Sequence, residues 1–328
     1  MKHRGIQIVV VVVLLVLTAG AAGWWYGPTQ EIIYRPTQDS TARTSLDGIN
    51  QERTARTSQE GRLAPAVGEE RAQATLADLR VGLAGANPQS NRFADAAAKN
   101  ALLRNDLTWT FGGKQQRGWY LYDSLLTKTL NTSSDATTAD FAAAVAAWQK
   151  RRRLTADGVL DEKSLMAIVS HWQSDRLKTR TPADPSELMI APPEDFYDPG
   201  RAADLRQVER NTYAAYKEMI AAAMSDRSLN LKSSDRFLKI ISSYRSREHQ
   251  DRLRQQSPDS GRAGLAVNSP HFTGRALDIY VGGSPVDTAD ANRAIQVNTR
   301  AYQWLVRNAE RFGFRPYFYE PWHWEYVR

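Results

Sequence analysis

Ser269-Pro-His271-Phe-Thr-Gly274-Arg-Ala276-Leu-Asp278, followed a few dozen residues later by Glu320-Pro-Trp322-His323, is the part of the chain from which the rest can be read. The apolar alternation from Ala276 to Val281 predicts a strand. Leu277, Ile279 and Val281 then point to a core, and Asp278 and Tyr280 to the opposite face. Gly274 permits a tight backbone approach just before that strand, which lets His271 fold back toward Asp278. Zinc takes imidazole nitrogen and carboxylate oxygen, and a catalytic zinc keeps three protein ligands with water in the fourth position. The chain has no cysteine, so a zinc site must use His, Asp and Glu. His271, Asp278 and His323 are the expected metal ligands. Glu320 is left as the base that takes a proton from a zinc-bound water.

The spacing Ser-x-His-x-x-Gly-x-Ala-x-Asp with Glu-x-Trp-His resembles the metallo DD-carboxypeptidases of the VanY type. These are zinc peptidases of the Hedgehog/DD-peptidase fold that trim the terminal D-alanine of peptidoglycan stem peptides. The matching positions are Ser269, His271, Gly274, Ala276, Asp278, Glu320, Trp322 and His323. Upstream, Ser243-Tyr244-Arg245-Ser246 with Gln250 resembles the family's Gly-Tyr-Arg-Ser segment, Ser243 standing where the family has glycine. The resemblance covers the last third of the chain. It implies that Arg245 stabilises the oxyanion and that Ser269, Tyr244 and Gln250 contact substrate. Trp322 is expected to pack under the site and orient His323. Glu325 competes with Glu320 for the part of base, although the family motif puts the base before the Trp-His pair. Endopeptidase cleavage of cross-links or of another stem-peptide bond is a rival activity on the same zinc chemistry. A non-catalytic wall-binding scaffold is the rival from another class.

The chain's 328 residues suggest two folded units plus connectors, and its formal charge of +7 favours an anionic partner such as a membrane surface or cell wall. Acidic residues are mixed in throughout, so no nucleic-acid face is expected. Residues 1–26 carry Lys2 and Arg4, then an apolar run from Ile6 to Gly23, closed by Trp24, Trp25 and Tyr26. That pattern predicts a single-pass signal anchor holding the rest of the chain on the periplasmic or cell-wall side of a bacterial membrane. Ala19-Gly-Ala21 also reads as a small-residue cleavage site, which keeps a cleaved signal peptide open. Residues 27–90 are expected to be a polar tether, with Thr-Ala-Arg-Thr-Ser occurring twice and a helix near Glu69 to Leu83.

Residues 91–173 predict a small all-α unit. Phe141, Val145 and Trp148 share a helical face, Asp157-Gly158 makes a turn, and Asp161 caps a helix carrying Leu165 and Ile168. This resembles the three-helix peptidoglycan-binding domain of wall hydrolases, which implies a wall glycan or peptide as its partner. Its first helix is either Ala101 to Leu107 or Tyr120 to Leu130. Residues 174–200 contain Pro182, Pro185, Pro192, Pro193 and Pro199 and predict an extended linker. Residues 201–328 are expected to form an α+β peptidase domain. Its elements are a helix through Val208, Thr212, Tyr216, Met219 and Ala223, a strand over Phe237 to Ile241, and a helix from Ala294 to Phe312 stopped by Gly313.

Overall fold

The computed structural model describes residues 92–232, 234–256 and 268–328. The expected membrane anchor (1–26) and tether (27–90) lie outside the described residues. Among the described residues no helix is long and apolar enough to cross a membrane.

The first unit contains α1 (Ala94–Asp106), a hairpin of β1 (Thr108–Phe111) and β2 (Lys114–Arg117), α2 (Asp123–Leu130), α3 (Ala139–Arg151) and α4 (Glu162–Ser174). Local chemistry sets the helix starts. The Thr138 hydroxyl accepts from Phe141 N at 3.2 Å, and the Asp161 carboxylate accepts from Ser164 N at 2.8 Å. Phe141, Val145 and Trp148 are buried on the inner face of α3, and Leu165 and Ile168 on that of α4. Gly158, at φ +80, lets the intervening turn lie against α3, where a Cβ would come within 2.7 Å of the Ala142 carbonyl. Both segments considered for the first helix are helical. The hairpin between them departs from the all-α expectation. Gly112 and Gly113, with φ of +59 and +75, supply the positive-φ turn that antiparallel hairpins favour. Trp109 and Phe111 alternate inward along β1.

The second unit is built on a four-stranded antiparallel sheet in the order β5-β6-β8-β7. Its elements are β3 (Leu188–Ile190), β4 (Gln207–Glu209), α5 (Arg210–Ser225), β5 (Ile240–Ser242), α6 (Arg247–Gln256), β6 (Ala276–Ile279), α7 (Asp290–Val297), α8 (Arg300–Asn308), β7 (Phe314–Pro316) and β8 (His323–Tyr326). One face of the sheet, through Leu277, Ile279 and Trp324, shares a core with Tyr216, Met219 and Ala223 of α5 and Tyr302, Leu305 and Val306 of α8. The other face carries Asp278 and His323. Val208 belongs to β4, and Glu209 caps α5 by accepting from Thr212 N at 2.7 Å. The single helix expected over Ala294 to Phe312 is two helices and a short 3-10 turn. Thr299 restarts the helix by accepting from Tyr302 N at 3.1 Å, and Ile295 is left 58% exposed. Gly313, at φ +89, ends this run.

Residues 174–200 are not a free linker. Ala183 N donates to Phe272 O at 2.8 Å, β3 pairs with β4, and Phe196 is buried and bridged to Ile240. Each proline removes one donor, but Ala183, Leu188, Ile190 and Phe196 between them still pair or bury, so a Pro-rich composition coexists with docking. The two units also share one core. Phe318, just before the Glu320 turn, lies 4.7 Å from Phe111, 5.4 Å from Tyr122 and 5.7 Å from Trp172, ring centre to ring centre. Three aromatic contacts across the junction make the helical unit part of the peptidase body. Phe318→Ala is expected to lower the unfolding free energy by about 3–5 kcal/mol, the range for truncating a buried aromatic. Chemical denaturation, with fluorescence and circular dichroism followed together, would measure this loss and show whether both units unfold in one transition.

Candidate metal centre

Asp278 stands in the middle of the sheet, opposite Ser242 on β5 and His323 on β8. The two-residue period of a strand puts Asp278 and His323 on one face, while their neighbours Leu277 and Trp324 turn to the helices. His271 comes from a 3-10 turn, Pro270–Thr273, whose start is capped by the Ser269 hydroxyl accepting from His271 N at 3.3 Å. Gly274, at φ +66, then turns the chain into β6. A side chain there would come within 2.9 Å of Leu188 and 3.1 Å of Glu209. Trp322 is buried with Ile241 and Val286, and its carbonyl accepts from Ile279 N at 2.8 Å. That bond holds the Trp322-His323 step against β6.

Three buried side chains meet here. Asp278 Oδ1 lies 3.0 Å from His323 Nδ1 and 3.4 Å from His271 Nε2. One donor atom from each residue falls within 4.8 Å of the other two. The far ring nitrogens have partners of their own. His271 Nδ1 is 2.6 Å from the Ser243 carbonyl, which can only accept, so that nitrogen carries a proton and Nε2 is left with its lone pair. His323 lies between two carboxylates, Nδ1 3.0 Å from Asp278 Oδ1 and Nε2 3.3 Å from Glu325 Oε1, so a proton held at Nε2 by Glu325 would leave the Nδ1 lone pair facing Asp278. Two imidazole lone pairs and a carboxylate converge, each imidazole oriented by an acceptor behind it. That is the donor set and the supporting shell that zinc takes.

Arg245 backs the cluster. Its Nη2 lies 3.3 Å from Asp278 Oδ2, and its Nε and Nη2 donate to Ser242 Oγ at 3.2 and 3.0 Å. Its own backbone N donates to His271 O at 3.2 Å, so the Tyr244-Arg245 step is tied to the turn that supplies a ligand. Ser243 meets the His271 ring through its backbone carbonyl. Tyr244 is half-buried, and burial followed by the nearby Glu248 charge pushes its phenol up. Gln250 is buried on α6, one turn beyond Ser246. His249 is half-buried; burial, then the charges of Arg245, Arg252 and Arg201, hold its imidazole below its ordinary value.

Glu320 is buried in the turn that enters β8. Its backbone N donates to Tyr317 O at 3.1 Å, and its C=O accepts from His323 N at 2.9 Å. Glu320 and His323, the expected base and one expected ligand, are thereby hinged on one tight turn. Glu325, which competed with Glu320 in the sequence, is committed elsewhere. It receives Arg176 Nε and Nη2 at 3.1 and 2.5 Å and Leu177 N at 2.8 Å. Burial alone would push its carboxyl up, but Arg176, then the hydrogen bond and charge of His323, then Arg180 outweigh it and hold the group well below the usual range. The His323-x-Glu325 spacing on a strand signals that the two share a face. Nothing local signals Arg176, which is 149 residues away in sequence.

The buried His–Asp–His group could hold a metal ion, and together with the family match that follows it marks a zinc metallopeptidase. Residues 205–328 match the family model for VanY, D-alanyl-D-alanine carboxypeptidase, and this stretch is a VanY-type domain. A search of curated proteins finds no match. Among solved structures, the LdcB LD-carboxypeptidase is 26% identical at a TM-score of 0.32, covering 44% of this chain and 69% of its own. VanYB in complex with D-alanine-D-alanine is 22% identical at a TM-score of 0.26, covering 37% and 72%. The D,D-pentapeptidase VanY of a VanB-type resistance cassette, a Glu-to-Ala mutant in complex with Zn(II), is 19% identical at a TM-score of 0.29, covering 48% and 89%.

His271→Ala and Asp278→Ala are each expected to lose stoichiometric zinc, and His249→Ala to keep it. Metal analysis after gel filtration in a weakly chelating buffer checks all three. Retention of zinc by the Asp278 variant would count against this ligand set.

Proposed function

We propose that the protein is a wall-facing, zinc-dependent D-alanyl-D-alanine carboxypeptidase that removes the terminal D-alanine from peptidoglycan stem peptides. The observation that carries the reading is the buried His271–Asp278–His323 cluster within a VanY-type domain. Its placement at the wall rests on the apolar run from Ile6 to Gly23 with its basic leader, and the helical unit is read as the part that contacts wall polymer.

His271 Nε2, Asp278 and His323 Nδ1 would hold the metal. Bound zinc supplies a water acidified to a pKa of about 7 and polarises the scissile carbonyl. Glu320 accepts the proton released as the water oxygen bonds to the carbonyl carbon, then delivers it to the amine of the departing D-alanine. The C–N bond breaks, and the products are a shortened stem peptide and free D-alanine. Arg245, paired with Asp278 Oδ2 at 3.3 Å, meets the negative charge that develops on the carbonyl oxygen. Ser269, Tyr244 and Gln250 are proposed to contact substrate around the cleft. Ser269 also caps the ligand turn, so its loss should disturb metal binding and substrate binding together.

The test uses a stem pentapeptide and cross-linked muropeptides, with zinc, with chelator, and with Glu320→Ala, the products identified by mass spectrometry. Zinc-dependent loss of one alanine is the expected result. The Glu320 variant should keep its metal and lose about 10²–10⁴-fold in kcat, the contribution of a positioned acid–base group. Cleavage confined to cross-linked material would reassign the enzyme as an endopeptidase. Zinc binding without cleavage would leave a wall-binding scaffold.

A further inference from the structure

We propose that Arg176, at the exit of the helical unit, is a positioning residue of the metal centre, acting through Glu325 on His323. The proposal rests on reading the His271–Asp278–His323 cluster as a zinc site. Arg176 lies outside the stretch that matches the VanY family, 205–328, so the contact is a property of how this chain joins its two units.

The contact is built like a bracket. Arg176 follows α4 directly and is buried, at 8% exposure. Its guanidinium lies over the Tyr317 ring, 3.9 Å from the centroid, and its Nη1 donates to Gln173 Oε1 at 3.2 Å. The ring below and the amide beside it leave the Nε–Nη2 edge aimed at Glu325 Oε1, at 3.1 and 2.5 Å. The next residue fixes the other oxygen, since Leu177 N donates to Glu325 Oε2 at 2.8 Å. Arg180 adds a more distant charge, 3.8 Å from Oε1. Held at both oxygens, the carboxylate cannot turn, and the oxygen that takes Arg176 also faces His323 Nε2 at 3.3 Å.

An imidazole between two carboxylates can present either nitrogen to either one. Here Asp278 lies 3.0 Å from Nδ1 and Glu325 lies 3.3 Å from Nε2. A fixed, charged acceptor at Nε2 keeps the proton there and the Nδ1 lone pair toward Asp278, where the metal would sit. It also makes that lone pair a better donor. Two arginines thus face two carboxylates of one centre, Arg245 behind Asp278 and Arg176 behind Glu325. Tyr317, under Arg176, accepts the chain that hinges Glu320, so the bracket supports the base turn as well.

The experiment measures zinc affinity of the full-length protein by competition with a chromophoric chelator, and the visible spectrum of the Co(II)-substituted form. Arg176→Met is expected to weaken zinc binding about 10–100-fold, the usual cost of losing an outer-shell partner. The same variant should shift the Co(II) bands, because His323 would take a new orientation. Arg176→Lys should recover part of the affinity by keeping a charge beside Glu325. Arg176→Met strips a buried carboxylate of its nearest cation and could fail to fold, so Arg176→Met/Glu325→Leu, which removes both charges, is measured alongside. It should fold and show the same loss. A folded double variant with wild-type Co(II) bands and a zinc affinity within about threefold of wild type, far short of that cost, would overturn the proposal. Failure of the wild type itself to bind zinc would overturn the functional reading beneath it.

Discussion

Two imidazoles and a carboxylate can be buried within a few ångströms of one another only if their other atoms are satisfied by the protein. Asp278, at the centre of the sheet, sets that demand. It has an imidazole on either side and Arg245 behind it, and it sits where no solvent reaches. A buried carboxylate left unpaired is costly. The surrounding structure is arranged to supply partners: Ser243 offers its carbonyl to His271, Glu325 its carboxylate to His323, and Ser242 its hydroxyl to Arg245.

That demand explains the layout of the strands. β6 lies between β5 and β8, so the residue opposite Asp278 is Ser242 on one side and His323 on the other. The helices α5 and α8 cover the far face with Tyr216, Met219, Tyr302 and Leu305, leaving the near face for polar chemistry. The near face is closed at its β8 end by the segment after α4, which brings Arg176 and Leu177 onto Glu325. A segment rich in proline serves well here. Its fixed φ angles lower the entropy lost on docking, while the residues between the prolines keep the donors and apolar side chains that dock. The aromatic contacts of Phe318 with Phe111, Tyr122 and Trp172 then make the helical unit a wall of the same body.

Much of this was legible in the sequence where the signal is local. The Ala276 to Val281 alternation marks β6 because a strand with one apolar face has period two. The Asp161 cap, the Phe141–Val145–Trp148 face and the stop at Gly313 are read from short-range chemistry. The grouping of His271 and Asp278 is likewise local, whereas His323, 45 residues beyond Asp278, enters through the resemblance of the Glu-x-Trp-His segment to the VanY-type motif. The hairpin β1–β2 was missed because Gly112-Gly113 sits among polar residues with little alternation in Lys114–Arg117. The break at Thr299 was missed because the apolar spacing runs through it, and only the cap reveals it.

By itself the sequence named the class of chemistry and a candidate donor set: strand periodicity and a turn glycine relate His271 to Asp278, and the family resemblance adds His323, 45 residues beyond Asp278. Only the tertiary structure decided the part played by Glu325. A glutamate two residues from a ligand can be a base or a support, and the choice depends on which cation reaches it. Arg176 reaches it from 149 residues away. Only packing decided as well that residues 174–200 dock rather than tether, since composition limits the flexibility of a free chain but cannot say which surface will hold it.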